Sequence, residues 1–259
     1  MFANERQEKI YELLQKNGAV TTSGLVETFK VSIETVRRDL LNMELEGRLT
    51  RVHGGAVAKN DMKPFFNLEK RNTEFEAEKE ELSIKAMEFI NEGDIIGIDS
   101  GSTAIIFSKL LRTKFSKLTV VTHSLDVFNL LCCHKEFSVI LCSGQFLKGE
   151  NAFYGALTLD ALSTLHIQKS FIFPSAVSLE NGICDYQSEL YQIQREYFNH
   201  SDEIFVLADS SKFQKNAMLK VSDMSKAHIY ITDSKLPQEL VSVYKENDII
   251  IYKGDNQNG

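Results

Sequence analysis

Seven short apolar runs alternate with stretches of helical periodicity from Gly93 onward, and that alternation restricts the fold more than any other feature of the chain. The runs span 95–98, 118–122, 137–142, 170–173, 203–208, 228–232 and 249–252, and helical patterns lie near 103–111, 125–132, 156–165 and 188–199. Runs of this length bounded by polar loops suit strands with both faces covered, and strand–helix–strand repetition joins parallel neighbours. The expected fold class is therefore α/β, a largely parallel sheet with helices on both faces. A chain of 259 residues has room for one large or two modest domains. With 43% hydrophobic and 25% charged residues it has the composition of a globular protein, which excludes wholesale disorder.

Sheets of this type bind ligands at the carboxyl ends of their strands, and the polar residues gather there. The first run ends in Asp99-Ser100-Gly101-Ser102-Thr103 and the second in Thr122-His123-Ser124, each before a helix. The third ends in Ser143-Gly144 and the fifth in Asp209-Ser210-Ser211-Lys212-Phe213. A small Gly/Ser/Thr loop at a helix N-terminus offers backbone N–H groups to an anion. One such loop is usually only a cap; four at the ends of one sheet outline a shared pocket.

The first 57 residues read differently. Residues 5–15 carry Ile10, Leu13 and Leu14 at helical spacing, and Asn17-Gly18 stops the pattern. Thr21 or Thr22 caps a second helix bearing Leu25, Val26 and Phe29. Lys30-Val31 makes a tight turn into Ser32, the N-cap of a third helix that ends at Gly47. In that helix Ile33, Val36, Leu40 and Met43 form the expected buried stripe. At about 100° per residue Arg38 falls nearly opposite, with Glu34, Thr35 and Asn42 beside it and Arg37 flanking. A ribbon follows, Arg48 to Val57, turning near Gly54-Gly55 and made basic by Arg48, Arg51 and His53. Helix, tight turn, and a second helix with an exposed arginine is the layout of a helix-turn-helix reader of DNA.

Charge fits that division. Residues 1–60 hold nine Lys/Arg against eight Asp/Glu, a net of +1, which leaves −8 of the total −7 for residues 61–259. An acidic body does not adhere generally to nucleic acid; a near-neutral head binds DNA only if its positive charges share a face. Residues 58–72, with Asp61-Met62-Lys63-Pro64, lack periodicity and read as a linker, followed by a charged helix over 73–91. The expected domains are thus 1–57, a linker of 58–72, and 73–259. No apolar run approaches the length of a bilayer span, and Met1 to Gln7 shows no secretory pattern, so the chain reads as cytoplasmic. Cys132, Cys133, Cys142 and Cys184 form neither a disulfide framework nor a CxxC motif, and are read as buried thiols, with no metal site and no cofactor.

Two stretches, Ser32-Ile33-Glu34-Thr35-Val36-Arg37-Arg38-Asp39-Leu40 and Arg51-Val52-His53-Gly54-Gly55-Ala56, resemble the winged helix-turn-helix of DeoR-type bacterial transcription regulators nearly residue for residue. The later segments Gly93 to Thr103, Leu118 to Thr122 and Leu207-Ala208-Asp209-Ser210-Ser211-Lys212-Phe213 resemble the same family's C-terminal domain, which is related in fold to ribose-5-phosphate isomerase and coenzyme A transferases. The resemblance implies a DNA-binding regulator, a repressor of carbohydrate-metabolism genes, with operator DNA and a sugar phosphate or related metabolite as partners and a homo-oligomeric body. The DNA-facing set it implies is Thr22, Ser32, Glu34, Thr35, Arg37, Arg38, Arg51 and His53, with Thr35 and Arg38 as base readers. For Arg37 a phosphate contact and an intrahelical pair with Glu34 or Asp39 both stay open. The effector-binding set is Asp99, Ser100, Gly101, Ser102, Thr103, Thr122, His123, Ser124, Gly144, Gly155, Asp185, Glu189, Asp209 and Lys212.

Four positions depart from the family pattern: His123 stands where asparagine is usual, Ser143 where a first glycine is usual, Phe173-Pro174-Ser175-Ala176 in place of a glycine-rich stretch, and Gln194 in place of lysine. Larger side chains and one fewer cation weaken the pull on a dianion. His123 is either a pocket residue or a packing residue. Two other functions compete. An isomerase-like enzyme would draw on Asp99, Asp185, Glu189, Asp209 and Lys212 for acid–base chemistry, although Asp185 and Glu189 equally suit a helix N-terminus. A DNA-binding protein whose body only oligomerises is the other. No nucleophile–base motif or dinucleotide fingerprint is present, so no residue is assigned as catalytic.

Overall fold

In a computed structural model of the chain, residues 3–17, 19–52, 55–58 and 68–255 are described. The chain divides into two compact units, Met1–Asn67 and Leu68–Gly259.

The first unit runs α1 (Ala3–Asn17), β1 (Ala19–Thr21), α2 (Thr22–Phe29), α3 (Ile33–Leu45), β2 (Leu49–Val52) and β3 (Gly55–Ala58). Thr21, not Thr22, caps α2, accepting the Gly24 N–H, and Lys30 closes the turn with φ of 51°. Ser32 caps α3 by accepting the Thr35 N–H. The strands form an antiparallel sheet ordered β1-β3-β2, a hairpin wing with one extra strand. β1 was not foreseen: three residues carry no readable period, and the strand exists through its pairing with β3, Ala19 opposite Val57. The core is Ile10, Leu14, Leu25, Val36, Leu40, Met43, Leu49 and Ala56. Ile33 corrects the expected stripe: as the first residue of α3 it lies beyond the packed face and is 47% exposed. Buried Asp39 shares the inward face instead, accepting Arg6 Nε at 2.5 Å and Nη2 at 3.1 Å.

The second unit begins with α4 (Leu68–Thr73) and α5 (Glu76–Ala86), the latter running into a 3-10 turn at Met87–Phe89. Helix therefore starts within the stretch expected to be linker. There follow β4 (Ile95–Ile98), α6 (Ser102–Lys114), β5 (Leu118–Thr122), α7 (Leu125–Leu131), β6 (Phe137–Leu141), β7 (Gln145–Leu147), β8 (Ala152–Tyr154), α8 (Ala156–Ser163) and β9 (Ile167–Ile172). The rest is β10 (Ala176–Ser178), β11 (Gly182–Asp185), α9 (Ser188–His200), β12 (Ser201–Leu207), β13 (Leu219–Ser222), β14 (Ile229–Thr232), α10 (Gln238–Lys245) and β15 (Ile251–Lys253). All seven expected strands join one parallel sheet, ordered β15-β14-β12-β9-β4-β5-β6. Two apolar layers cover it, one built around Phe107, Phe171 and Phe205, the other around Tyr197, Val206 and Tyr230. Two small antiparallel sheets, β7-β8 and β10-β11-β13, lie outside the sequence reading, because strands of three or four residues carry no period.

Strand order locates the place where a ligand fits. From β4 the chain proceeds outward through β5 and β6, whereas from β9 the order runs the other way through β12, β14 and β15. The switch point lies between β4 and β9, and doubly wound sheets open a crevice at the carboxyl ends of such strands.

Two cysteines correct the expectation of buried thiols: Cys142 and Cys184 are buried, but Cys132 and Cys133, just past α7, are exposed. Among the described residues no group of three or more His, Cys, Asp or Glu is placed to hold a metal ion, and no helix is long and apolar enough to cross a membrane.

Candidate nucleic-acid interface and effector site

The outer face of α3 and strand β2 enclose a groove lined by Glu34, Thr35, Arg37, Arg38, Leu41 and Arg51. The inward stripe fixes the helix by its back, which leaves these side chains pointing outward. Arg38 is exposed and has no ion-pair partner among the described residues. Arg37 takes the intrahelical partner, with Nη1 2.8 Å from Glu34 Oε1; both ends are exposed, so the pair contributes little and yields readily. Ser32 Oγ lies 2.8 Å from Thr35 Oγ1. Arg51 receives support from Glu44, which accepts its backbone N–H at 2.8 Å. Arg48 is less available than the ribbon pattern suggested, being paired with Glu8 and laid over the Tyr11 ring at 4.8 Å. Thr22 is half-buried in the first turn of α2, and His53 lies outside the described residues. Leu41 was missed. Its signal was an apolar residue three positions after Arg38, on the face the stripe leaves outside.

At the switch point Asp99, fully buried at the end of β4, accepts N–H groups from Ser100 at 2.8 Å and Phe173 at 3.3 Å, so the loops after β4 and β9 meet on one carboxylate. Gln194 on α9 bridges it to a second, donating from Nε2 to Asp99 at 2.9 Å and Asp185 at 3.2 Å. Asp185 also accepts the N–H groups of Tyr186 and Gln187. Burial dominates both carboxyls: Asp99 is pushed up to about 7 and Asp185 above the usual carboxylate range, each against its own hydrogen bonds. His123 faces the same group, with Nε2 3.7 Å from Asp99 Oδ1 and Nδ1 3.4 Å from the Tyr197 hydroxyl. Burial lowers it to about 3, so the imidazole is neutral.

The remaining loops surround this core. Thr122 donates to the Ile98 carbonyl and accepts the Ser124 N–H, and Ser124 caps α7. Gly101, at φ of 115°, precedes α6 without a side-chain cap, which leaves first-turn N–H groups of that helix without intrahelical partners. Ser100 Oγ, Thr103 Oγ1, His123 Nε2 and Gln194 Oε1 are buried and unpartnered. Lys212 lies 3.9 Å from Asp209, its ammonium lowered chiefly by burial, and it feels the charges of Asp209, Arg71, Asp185 and Asp99. The structure thus brings together residues from the loops after β4, β5, β9 and β12. Gly144 instead packs against Thr158 and the Tyr154 carbonyl, and Gly155 against Gln145, at the base of the β7–β8 hairpin. Glu189 is half-buried at the start of α9 and accepts from Ser188, with no hydrogen bond to the cluster.

Four further residues reach the site unannounced: Arg71 from α4, Lys79 from α5, Glu150 from the β7–β8 connection and Gln187. Arg71 Nη2 lies 2.6 Å from Glu150 Oε1, and Gln187 Nε2 2.8 Å from the same oxygen. Arg71 sits in the stretch read as linker, and its partner is 79 positions away, so no local pattern exposes it.

The Asp99 shift has a measurable sign. An unfolded aspartate titrates near 3.9 while the native group titrates at about 7, so the native state holds the extra proton between these values and stability falls as pH rises through that window. Asp99→Asn removes this component. Its stability relative to wild type is expected to rise between pH 4 and pH 7, measured by urea unfolding at both; a constant difference contradicts the shift.

The chain matches two family models, a DeoR-like helix-turn-helix domain over residues 6–61 and a DeoR C-terminal sensor domain over residues 74–234. It is 32% identical to the lactose phosphotransferase system repressor of Lactococcus lactis over 93% of this chain and 95% of that protein. It is 30% identical to the L-fucose operon activator of Haemophilus influenzae over 95% and 98%, and 29% identical to the glycerol-3-phosphate regulon repressor of Escherichia coli over 96% and 98%. Among solved structures the chain is similar to ribose 5 phosphate isomerase A from Neisseria gonorrhoeae, at 20% identity, 52% coverage of each chain and a TM-score of 0.40. With the helix-turn-helix and the sensor domain both matched, and relatives aligned over nearly their full lengths, the chain belongs to the DeoR family of DNA-binding transcriptional regulators.

Proposed function

We propose that this regulator is a cytoplasmic repressor of carbohydrate-metabolism genes, not an enzyme, whose operator affinity is set by a phosphorylated sugar or related metabolite bound at the β4/β9 switch point. The observation that carries the reading is the set of buried, unpartnered polar atoms there, on Ser100, Thr103, His123 and Gln194. Buried polar groups in native proteins are almost always hydrogen-bonded, and a polyhydroxylated ligand supplies the missing partners. The α6 N-terminus and Lys212 suit its anionic end; Asp99 and Asp185 suit its hydroxyl groups. A body that served only to oligomerise has no use for such a cluster.

In the head, Arg38 and Thr35 read base edges, Arg38 by bidentate pairing with guanine, and Leu41 meets a thymine methyl. Ser32, Arg37 and Arg51 hold phosphates and set the register; Thr22, Glu34 and His53 complete the DNA-facing set. Residues 1–57 form the reader and residues 73–259, together with α4 before them, the sensor, which holds the protein as a homo-oligomer so that paired heads engage repeated half-sites. The effector favours a head arrangement that no longer fits the operator, a coupling typically worth about 1–3 kcal/mol.

Lys212→Ala tests the sensor. It is expected to reduce the effector-induced change in operator affinity from about 5–150-fold to less than twofold, read by fluorescence anisotropy of labelled operator with the active compound. An undiminished response moves the ligand away from Lys212.

A further inference from the structure

The chain holds four cysteines, and the fold sorts them by burial. Cys142 and Cys184 are each 1% exposed, and burial pushes the Cys142 thiol up to about 11. Cys132 and Cys133 are exposed where α7 ends, with their Sγ atoms 3.8 Å apart. The backbone beneath this pair is held on both sides. Cys132, the C-cap of α7, donates its N–H to the Phe128 carbonyl at 2.8 Å, and His134 donates to the Leu131 carbonyl at 3.0 Å. The His134 ring then rests against that of Phe137, with centroids 4.0 Å apart. The Cys132 Sγ also lies 3.9 Å from the Asn129 carbonyl. Two thiols therefore stand side by side on a fixed helix end, open to solvent.

Geometry decides what such a pair can hold. A bond between the two sulfurs is strained, because consecutive Cα atoms across a trans peptide are about 3.8 Å apart, below the roughly 4.4–6.8 Å that a disulfide usually spans. A single atom bridging the sulfurs asks for far less movement. At about 2.3 Å per bond, the length of a metal–thiolate bond, and angles of roughly 90–110°, it holds them about 3.3–3.8 Å apart. Soft sulfur ligands select soft centres. A structural zinc ion takes four ligands, and among the described residues no third carboxylate, imidazole or thiol is placed to complete a metal site with the pair. The site therefore suits a thiophilic centre that needs only two protein sulfurs and brings its remaining substituent with it. Trivalent arsenic, three-coordinate and pyramidal, is such a centre.

We propose that Cys132 and Cys133 form a dithiol site for trivalent arsenicals, arsenite and its monosubstituted organic relatives, separate from the switch-point cluster. In the binding step each thiol sulfur forms a bond to arsenic and displaces one hydroxide. The two thiol protons leave with the two hydroxides as water, and the third arsenic substituent, a hydroxyl or an organic group, stays in place. Two S–H and two As–O bonds break while two As–S and two O–H bonds form. Arsenic remains trivalent, so the step needs no oxidant or reductant. Once the first sulfur has bonded, the second meets arsenic as an intramolecular partner, which raises affinity well above that of one thiol.

Titration of the folded full chain with phenylarsine oxide, under a phosphine reductant that carries no thiol, tests it. Intact-mass spectrometry is expected to show one phenylarsenic group per wild-type chain. Alkylation under native conditions followed by peptide mapping is expected to find Cys132 and Cys133 both protected by the probe. Cys132→Ser and Cys133→Ser are each expected to weaken binding by about a hundredfold or more, since the second bond is lost. A chain with Cys142→Ala and Cys184→Ala is expected to bind as wild type does. Two groups per chain, one on each exposed thiol, overturn the proposal, as does either serine variant that binds as tightly as wild type. No arsenic on the wild-type chain, or arsenic that maps to Cys142 or Cys184, overturns it as well. The wild-type stoichiometry and mapping decide the matter even if a variant fails to fold.

Discussion

Asp39→Ala is expected to lower the stability of the DNA-reading unit by about 3–5 kcal/mol, since it breaks a buried ion pair by removing one of its members. Asp39 is 2% exposed and accepts Arg6 Nε at 2.5 Å, Arg6 Nη2 at 3.1 Å and Gln7 Nε2 at 3.4 Å. Three donors from α1 thus converge on one carboxylate of α3 and set the angle at which the reading helix is held. Removing the carboxylate also removes its hydrogen bonds, so operator binding is expected to fail along with the fold. A urea titration of the full chain followed by helical circular dichroism should show the head unfolding in a separate, earlier transition; a loss below about 1 kcal/mol would make the pair as weak as an ordinary surface ion pair. Replacing Arg6 and Asp39 together by methionine and leucine is expected to recover much of the loss, because well-packed apolar pairs commonly match buried ion pairs.

Arg38→Ala acts on recognition instead. Operator affinity is expected to fall by about 1–3 kcal/mol, roughly 5- to 150-fold, with specificity relaxed at one base pair. The physical basis is availability: Arg38 is exposed in the groove with no ion-pair partner among the described residues, whereas Arg37 is held by Glu34 and Arg48 by Glu8. Arg51→Ala should weaken binding to all sequences alike and reduce the salt slope by about one. Anisotropy titrations against operators mutated one base pair at a time separate these behaviours. An Arg38→Ala variant that discriminates among those operators as wild type does is not missing a base reader.

These two positions also show what a sequence exposes and what it hides. Arg38 was legible because helical geometry alone places it opposite Val36, Leu40 and Met43. Asp39 was not, because a carboxylate inside an apolar stripe reads as surface until its partner on α1 is known, 33 positions away. The parallel sheet was legible for a related reason: each of its strands holds a short apolar run, as burial between helices requires. The β7–β8 and β10-β11-β13 sheets are too short to carry a period, and they are the elements that bring Glu150 and Asp185 to the site. Loop residues such as Asp99, Ser102 and Lys212 announced themselves by their place after a strand. Arg71, Lys79 and Gln187 depend on packing between distant segments. Gln194 was visible as a departure from the family pattern, but its bridging of two buried carboxyls was not.

Control of DNA binding in the head by a small metabolite bound in the sensor is the proposed mechanism. Its most direct test uses genomic fragments enriched by the protein itself, labelled and titrated by anisotropy at fixed salt, with and without each member of a panel of phosphorylated sugars and polyols. Specific binding that one compound changes by about 5–150-fold is expected, with the change lost in Lys212→Ala. Specific binding that stays within twofold across the panel, in wild type and variant alike, would contradict it.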